Sequence, residues 1–109
     1  NLDAFAEADG FLIVNGAAGI DKITMSQSSN GDNLSLGGAA DIIYVATANL
    51  TSADTINGAG GIDVLTLTDA STVVDSDFTK VTNLENITQG TASHNMTLTL
   101  GALATAAGL

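Results

Sequence analysis

The chain of 109 residues contains no cysteine, no proline and no tryptophan, and only three phenylalanines and one tyrosine. Without cysteine, neither a disulfide framework nor a thiolate metal site can form. With so few large rings, the interior of the fold must be filled by Val, Ile and Leu. The lack of proline suits strands inside a sheet, because each residue there must donate its backbone N–H.

Positive charge is also scarce, since two basic residues oppose twelve acidic ones and the formal net charge is −10. A nucleic acid or an anionic membrane surface would need a basic face, so we expect neither as a partner. No apolar run approaches the ~18 residues of a membrane-spanning helix, so we expect no membrane insertion. Divalent cations are the natural counter-charge for such a chain.

Short runs of alternating apolar and polar residues recur along the chain, as in L-T-L-T at 65–68. Alternation with period two is typical of a strand with one buried face. The centres of these runs form two interleaved sets: Ile23, Ile43, Leu65 and Ile87 in one, and Ile13, Leu34, Ile56, Val74 and Leu98 in the other. This spacing predicts an all-β fold, a parallel β-roll or β-solenoid with two opposed parallel sheets and about 20–22 residues per turn.

Segments rich in Gly and Ala separate these strands, at 15–21, 36–41 and 57–63. Corners of successive turns would lie about one strand spacing apart, roughly 4.8 Å, so large side chains would collide there. Glycine also adopts the positive φ angles that a tight bend requires. We therefore predict that these segments are stacked corners of the coil.

Five aspartates occupy equivalent places, each two residues before a strand centre: Asp21, Asp32, Asp41, Asp54 and Asp63. Stacking by alternate strands predicts two columns, called here the first acidic column (Asp21, Asp41 and Asp63) and the second acidic column (Asp32 and Asp54). Like charges on adjacent rungs repel by about 4 kcal/mol at an effective dielectric of about 20. Carboxylate and bent-loop carbonyl oxygens are ligands that Ca²⁺ prefers, so an ion could offset this repulsion. The alternative is that these side chains cap corner N–H groups and face water, as Asp does in many turns.

Two segments, G-A-A-G-I-D-K-I-T (16–24) and G-A-G-G-I-D-V-L-T (58–66), resemble the nonapeptide G-G-x-G-x-D-x-U-x of RTX proteins, where U is a large aliphatic residue. Segments 27–35, 36–44 and 49–57 are degenerate versions of the same pattern. The phrase at 68–88 is similar to segments that recur between such repeats in giant bacterial adhesins and surface-layer proteins. The resemblance implies a secreted, right-handed parallel β-roll that is ordered by Ca²⁺.

In that family, the motif's Asp carboxylate and the corner carbonyls bind ions between adjacent turns. Carried onto this sequence, the resemblance nominates Asp21 and Asp63 with the carbonyls of Gly16, Ala18, Gly58 and Gly60, followed by Asp41, Asp32 and Asp54. Few corners keep both leading glycines, so we expect fewer ions than corners.

The resemblance implies a non-enzymatic, calcium-stabilised structural module of a secreted bacterial surface assembly, such as a surface layer, a sheath or an extracellular filament. The alternative is a repeat or spacer region of a large RTX-type adhesin. Either would lie outside the cell or on its surface and would associate with identical modules or neighbouring repeats. We expect residues 1–109 to be one module of a longer repeat protein, with 1–10 and 101–109 as edge or linker segments. No catalytic role is expected, because the aspartates recur as a ladder and do not converge.

Residues 68–88 depart from the corner pattern. Phe78, Val81, Leu84 and Ile87 recur every third residue, which predicts a short helical or 3₁₀ turn with Phe78 plugging the coil. Glu85 is predicted to accept hydrogen bonds from backbone groups of this wider corner. For Asp75 and Asp77 we predict solvation of a loop, with a second ion site as the alternative.

Overall fold

The computed structural model describes residues 2–3, 11–27, 30–69, 72–90, 97–98 and 101–109. Its strands are β1 (Leu2–Asp3), β2 (Ile13–Asn15), β3 (Lys22–Thr24), β4 (Asn33–Ser35), β5 (Ile42–Val45), β6 (Thr55–Asn57), β7 (Val64–Leu67), β8 (Thr72–Val73), β9 (Val81–Thr82), β10 (Asn86–Gln89) and β11 (Thr97–Leu98). Two 3₁₀ turns (Thr47–Asn49 and Asp75–Phe78) and one α-helix, α1 (Ala102–Ala107), complete the described elements. No helix among the described residues has the length and apolar character needed to cross a bilayer.

The strands form two parallel sheets between which the chain alternates. Sheet A has the order β1-β3-β5-β7-β10, and sheet B has the order β2-β4-β6-β9. Each strand therefore pairs with the strand one coil turn away, and the chain makes about three turns of a β-solenoid. The predicted all-β fold with two opposed parallel sheets is confirmed.

The core is built from equivalent residues of successive turns. Ile23, Ile43, Leu65 and Ile87 are direct partners across sheet A, as the spacing predicts. The first three are buried and Ile87 is packed against the same core. Because residues two apart share a face of a strand, Met25, Val45 and Leu67 form a second buried row beside them.

The second set of predicted strand centres is wrong at three positions: Ile13, Val74 and Leu98, the last of which pairs with Val73 outside sheet B. Val14, not Ile13, pairs with Leu34, and Ile13 points outward with 60% of its surface exposed. An error of one residue in the predicted strand centre is enough to exchange the inward and outward side chains, since neighbouring residues of a strand point to opposite faces. Ile56 pairs with Val81, a step of 25 residues, while Val74 lies outside sheet B and is 40% exposed.

The long step arises because the connection from β7 to β9 is longer than that from β5 to β6, while the corner from β9 to β10 is shorter than that from β6 to β7. Strand β8, which follows β7 along the chain, does not join sheet B but pairs with β11 in a separate two-stranded parallel sheet. The 3₁₀ turn at Asp75–Phe78 follows, and it buries Phe78 as predicted. The wider turn thus adds a third, short side to the coil before sheet B resumes at β9.

The Gly- and Ala-rich segments stack as corners. Gly37 and Gly61 have φ angles of +102° and +132°, which residues with a side chain rarely adopt. A Cβ at Gly61 would also collide with the Ala39 carbonyl of the neighbouring turn. Gly38 and Gly60 form a parallel bridge across two corners, so the sheet ladder continues around this bend. Close approach of the backbones therefore requires the small residues.

Candidate metal site

The first acidic column lies on neighbouring rungs at the entrance to sheet A. The Asp21 N–H donates to Asp41 Oδ1 at 2.7 Å, and the Asp41 N–H donates to Asp63 Oδ1 at 2.8 Å. The Asp63 N–H continues the series by donating to Glu85 Oε2 at 2.8 Å, which is the backbone role expected of Glu85. Each carboxylate thus accepts the amide of its equivalent residue one turn earlier.

The second acidic column repeats this arrangement at the entrance to sheet B. The Leu12 N–H donates to Asp32 Oδ1 at 2.8 Å, and the Asp32 N–H donates to Asp54 Oδ1 at 2.7 Å. Ser26 adds its own N–H to Asp32 Oδ2 at 2.8 Å and its hydroxyl to Asp32 Oδ1 at 2.6 Å. Thr51 likewise donates its N–H to Asp54 Oδ2 at 2.7 Å. Both oxygens of each carboxylate are therefore occupied.

A third bend uses the same device, which the sequence reasoning missed. The Thr47 N–H donates to Asp69 Oδ1 at 2.8 Å, across a sequence separation of 22 residues. The available signal was parity, because Asp69 follows the buried Leu65 and Leu67 in steps of two. Charge-assisted bonds of this kind contribute about 1.5–3 kcal/mol each. The carboxylates therefore join successive turns where the strands end.

The acidic residues do not face water, so that part of the capping interpretation is wrong. Asp41, Asp63, Asp32 and Asp54 are buried, and Asp21 is half-buried. The reason is again the period of two, since each Asp lies two residues before an inward-facing strand centre. Their capping of backbone N–H groups is observed, but inside the coil.

The two columns differ in the second carboxylate oxygen. In the first column, Oδ2 of Asp21, Asp41 and Asp63 is buried without a hydrogen-bond partner. In the second column, the matching oxygens accept the bonds from Ser26 and Thr51. A buried carboxylate oxygen without a partner is costly, so three in successive turns call for an explanation.

Burial sets the direction of two pKa values in these columns. Desolvation raises the pKa of Asp63, and the charges of Asp41 and Glu85 add to this rise, against the opposing effect of the Asp41 N–H. Burial likewise raises the pKa of Asp54, although the N–H groups of Asp32 and Thr51 oppose it. The charged form of each carboxylate is therefore disfavoured by its surroundings, and a cation would relieve this.

The corner residues nominated with the aspartates lie beside the first acidic column. A Cβ at Gly16 would collide with Asp21 Oδ2, and a Cβ at Gly58 would collide with Asp63 Oδ2. Ala18 is exposed at its corner, and the Gly60 carbonyl accepts the Ala39 N–H at 2.9 Å. Two of the three orphaned oxygens, those of Asp21 and Asp63, thus lie where glycine leaves the place of a Cβ open.

No group of three His, Cys, Asp or Glu side chains that could hold a metal ion is found in the described part of the chain. An ion at the first acidic column would therefore need backbone carbonyls as well as carboxylates. The hard oxygen donors fit Ca²⁺, which accepts both types of ligand.

Asp75 does not solvate a loop, contrary to the prediction. Its carboxylate accepts the N–H groups of Gly101, Leu103 and Ala104 at 2.8, 3.2 and 2.9 Å, at the start of α1. The Ala104 N–H is the main cause of a lowered Asp75 pKa. Asp77 accepts only a local bond, from the Val74 N–H at 3.0 Å. Asp75 therefore joins two parts of the chain.

Comparison of the chain with protein-family models, with curated proteins and with solved structures gives no match. The β-solenoid is established by the sheet topology alone.

Proposed function

We propose that this chain is a non-enzymatic structural module of a secreted bacterial surface assembly, and that Ca²⁺ orders its coil at the first acidic column. The observation that supports this proposal is the set of three buried carboxylate oxygens without partners, on successive turns. The RTX-like character of the repeats is part of the proposal and rests on the two nonapeptides at 16–24 and 58–66.

The proposed ligands come from the first column rather than the second. Asp41 and Asp63 each have one oxygen that accepts a backbone N–H, and all three aspartates of this column have one buried oxygen without a partner. Gly16, Ala18, Gly58 and Gly60 would add corner carbonyls. Asp32 and Asp54, which the resemblance also nominates, have no oxygen to spare and are left out of the proposed site.

A bound ion would supply positive charge and oxygen coordination to the column. At about 4.8 Å between rungs, two neighbouring carboxylates repel by about 3.5 kcal/mol at an effective dielectric of about 20. Extracellular calcium, at about millimolar concentration, would fill sites with dissociation constants near 10⁻⁴ M. At tenfold saturation each site adds about 1.4 kcal/mol to the free energy of unfolding. The coil would thus be more stable outside the cell than before export.

Thermal unfolding followed by circular dichroism tests the calcium part of this proposal. We expect the melting temperature in excess Ca²⁺ to exceed that in chelator by about 5–10 °C, since 1 kcal/mol shifts a domain of this size by roughly 4–8 °C. Mg²⁺ is the control, because it demands a smaller, octahedral set of ligands and should give a lesser shift. Equal melting temperatures in Ca²⁺ and in chelator would contradict the proposal.

The alternative to a surface-assembly role is a spacer in a large RTX-type adhesin. Both roles would use the calcium-loaded coil, but only the assembly role requires that copies of the module associate with one another. The parallel coil supports an assembly role because its sheets end in strand edges that other strands can extend. Electron micrographs of concentrated, calcium-loaded protein should contain sheets or fibres if the assembly role is right. Discrete particles under the same conditions would favour the spacer.

A further inference from the structure

Helix α1 occupies the place in the coil where the next strand of sheet B would lie. At the corner that follows each sheet B strand, a backbone N–H donates to a carbonyl at the end of the next strand in that sheet. The series runs from Gly16 to Ser35, from Leu36 to Asn57 and from Gly58 to Thr82, at 2.7, 3.0 and 3.1 Å. After β9 the corresponding residue is Asn83, and the N–H of the next residue, Leu84, donates to the carbonyl of Ala107, the last residue of α1, at 2.8 Å. The helix thus replaces a strand as the partner of the last corner.

The packing of α1 covers the C-terminal end of the core. Its inner face consists of Ala104 and Ala107, both buried, whose small side chains let the helix approach β9 closely. Gly108 ends the helix with a φ of +111°, and a Cβ there would lie 2.9 Å from the Leu84 carbonyl oxygen. Leu84 precedes Glu85 as Ile62 precedes Asp63 one turn earlier. Leu84 is fully buried, whereas Ile62 is 63% exposed.

Asp75 fastens this helix to the coil. Its three bonds to the first turn of α1 span sequence separations of 26 to 29 residues, so they join the 3₁₀ turn of the third coil turn to the end of the described chain. Residues 101–109 carry no charged side chain, and neither do the two residues of β9. The covered edge is therefore an uncharged region in a chain whose net charge is −10.

From this arrangement we infer that α1 is a removable edge cap, latched by Asp75, which keeps sheet B from pairing with a second copy of this chain. The occupant is a second copy because a parallel coil is complementary to itself end to end. With α1 removed, the outer side of β9 would offer a following strand backbone groups of the kind that β4 offers to β6. Head-to-tail contacts of this type do not close on themselves and lead to open chains of molecules. The inference does not depend on calcium binding, since Asp75 lies outside both acidic columns.

The test compares Asp75→Ala with Asp77→Ala and the parent chain in one buffer of fixed calcium concentration. Both variants remove one carboxylate from the same 3₁₀ turn, but the Asp75 carboxylate accepts N–H groups at the start of α1 whereas that of Asp77 accepts the Val74 N–H. Hydrogen exchange measured by mass spectrometry should become at least about tenfold faster in peptides covering 101–109 and Leu84 of Asp75→Ala, and stay unchanged in β5 and β7. The molar mass from light scattering should then rise with concentration for this variant only.

Ala104→Arg provides a second route to the same result. It leaves Asp75 in place but introduces a large charged side chain at a position only 2% exposed, so α1 should detach while the coil remains folded. Association of either variant, with protected β5 and β7, supports the inference. An Asp75→Ala chain that exchanges like Asp77→Ala would refute the latch. Detached helices in molecules that remain monomeric at high concentration would refute the edge cap.

Discussion

Replacing Asp63 by Asn should remove the gain in stability that the parent obtains from calcium at this site. The carboxamide keeps an oxygen for the Asp41 N–H, now bonded at 2.8 Å, but removes the charge and one potential ion ligand. Loss of the charge weakens that hydrogen bond by about 1 kcal/mol, the difference between bonds to charged and to neutral acceptors. It also removes a repulsion with Asp41 that we put at about 3.5 kcal/mol at an effective dielectric of about 20. Relief of repulsion is the larger effect, so in chelator the variant should be at least as stable as the parent.

In excess calcium the variant's advantage should shrink, because the parent gains about 1.4 kcal/mol per site at tenfold saturation and the variant loses that gain at Asp63. Asp54→Asn is the matched control, since it removes a buried charge from the second column. Its carboxamide must turn an NH₂ group toward either the Asp32 N–H or the Thr51 N–H, so one buried donor loses its acceptor. The lost bond should cost about 1–3 kcal/mol, partly or wholly offset by relief of the repulsion with Asp32, and the net change should be equal with and without calcium.

Urea denaturation of the three proteins, followed by circular dichroism in chelator and in calcium, measures these differences directly. The reasoning fails if Asp63→Asn gains as much from calcium as the parent does. It fails equally if Asp54→Asn, and not Asp63→Asn, is the variant that loses the response.

Two further predictions concern pH and the core. In chelator, acidification from neutral pH should first stabilise the coil. The pKa of Asp54 is raised in the folded state, so protonation of this carboxylate favours folding. The resulting stability is lost as pH rises through the raised pKa. Below the ordinary Asp pKa of about 4 the trend should reverse, because the lowered pKa of Asp75 gives stability that is lost as pH falls; a melting temperature that falls steadily from pH 7 downward would contradict this. Leu65→Ala should lower the free energy of unfolding by about 2–5 kcal/mol, whereas Ile13→Ala should change it by less than about 0.5 kcal/mol, as urea titrations can check. Similar losses for the two variants would contradict the assigned faces of the strands.

The period of the aliphatic residues was sufficient to predict sheet A. Ile23, Ile43, Leu65 and Ile87 are in register because uniform corners of Gly and Ala keep the turns close to 20–22 residues long. Sheet B was harder to predict because Ile13 and Val14 are both β-branched, and their order does not reveal which one faces inward. Strand β8 and the 3₁₀ turn at Asp75–Phe78 add a third side to the coil, and no periodic signal predicts this longer connection.

The candidate site was predictable in position but not in detail. Counting two residues back from each strand centre gives the columns and, by parity, their burial. The donors outside the columns decide which carboxylate oxygen lacks a partner. Of these donors, only Thr51 lies close enough in sequence, three residues before Asp54, for its contact to be predicted. The matching places before Asp21, Asp41 and Asp63 hold Ala18, Gly38 and Gly60, and the N–H groups of Gly38 and Gly60 donate to the carbonyls of Ala17 and Gly37 instead. Ser26 reaches Asp32 from six residues away, a contact that only the fold reveals.

The most direct measurement is anomalous diffraction from crystals of this chain grown in calcium. Ion peaks next to Oδ2 of Asp41 or Asp63, with none at Asp32 and Asp54, are the result that our assignment of the site predicts. A map with no peak along the strand entrances, or with peaks only beside Asp32 and Asp54, would contradict it.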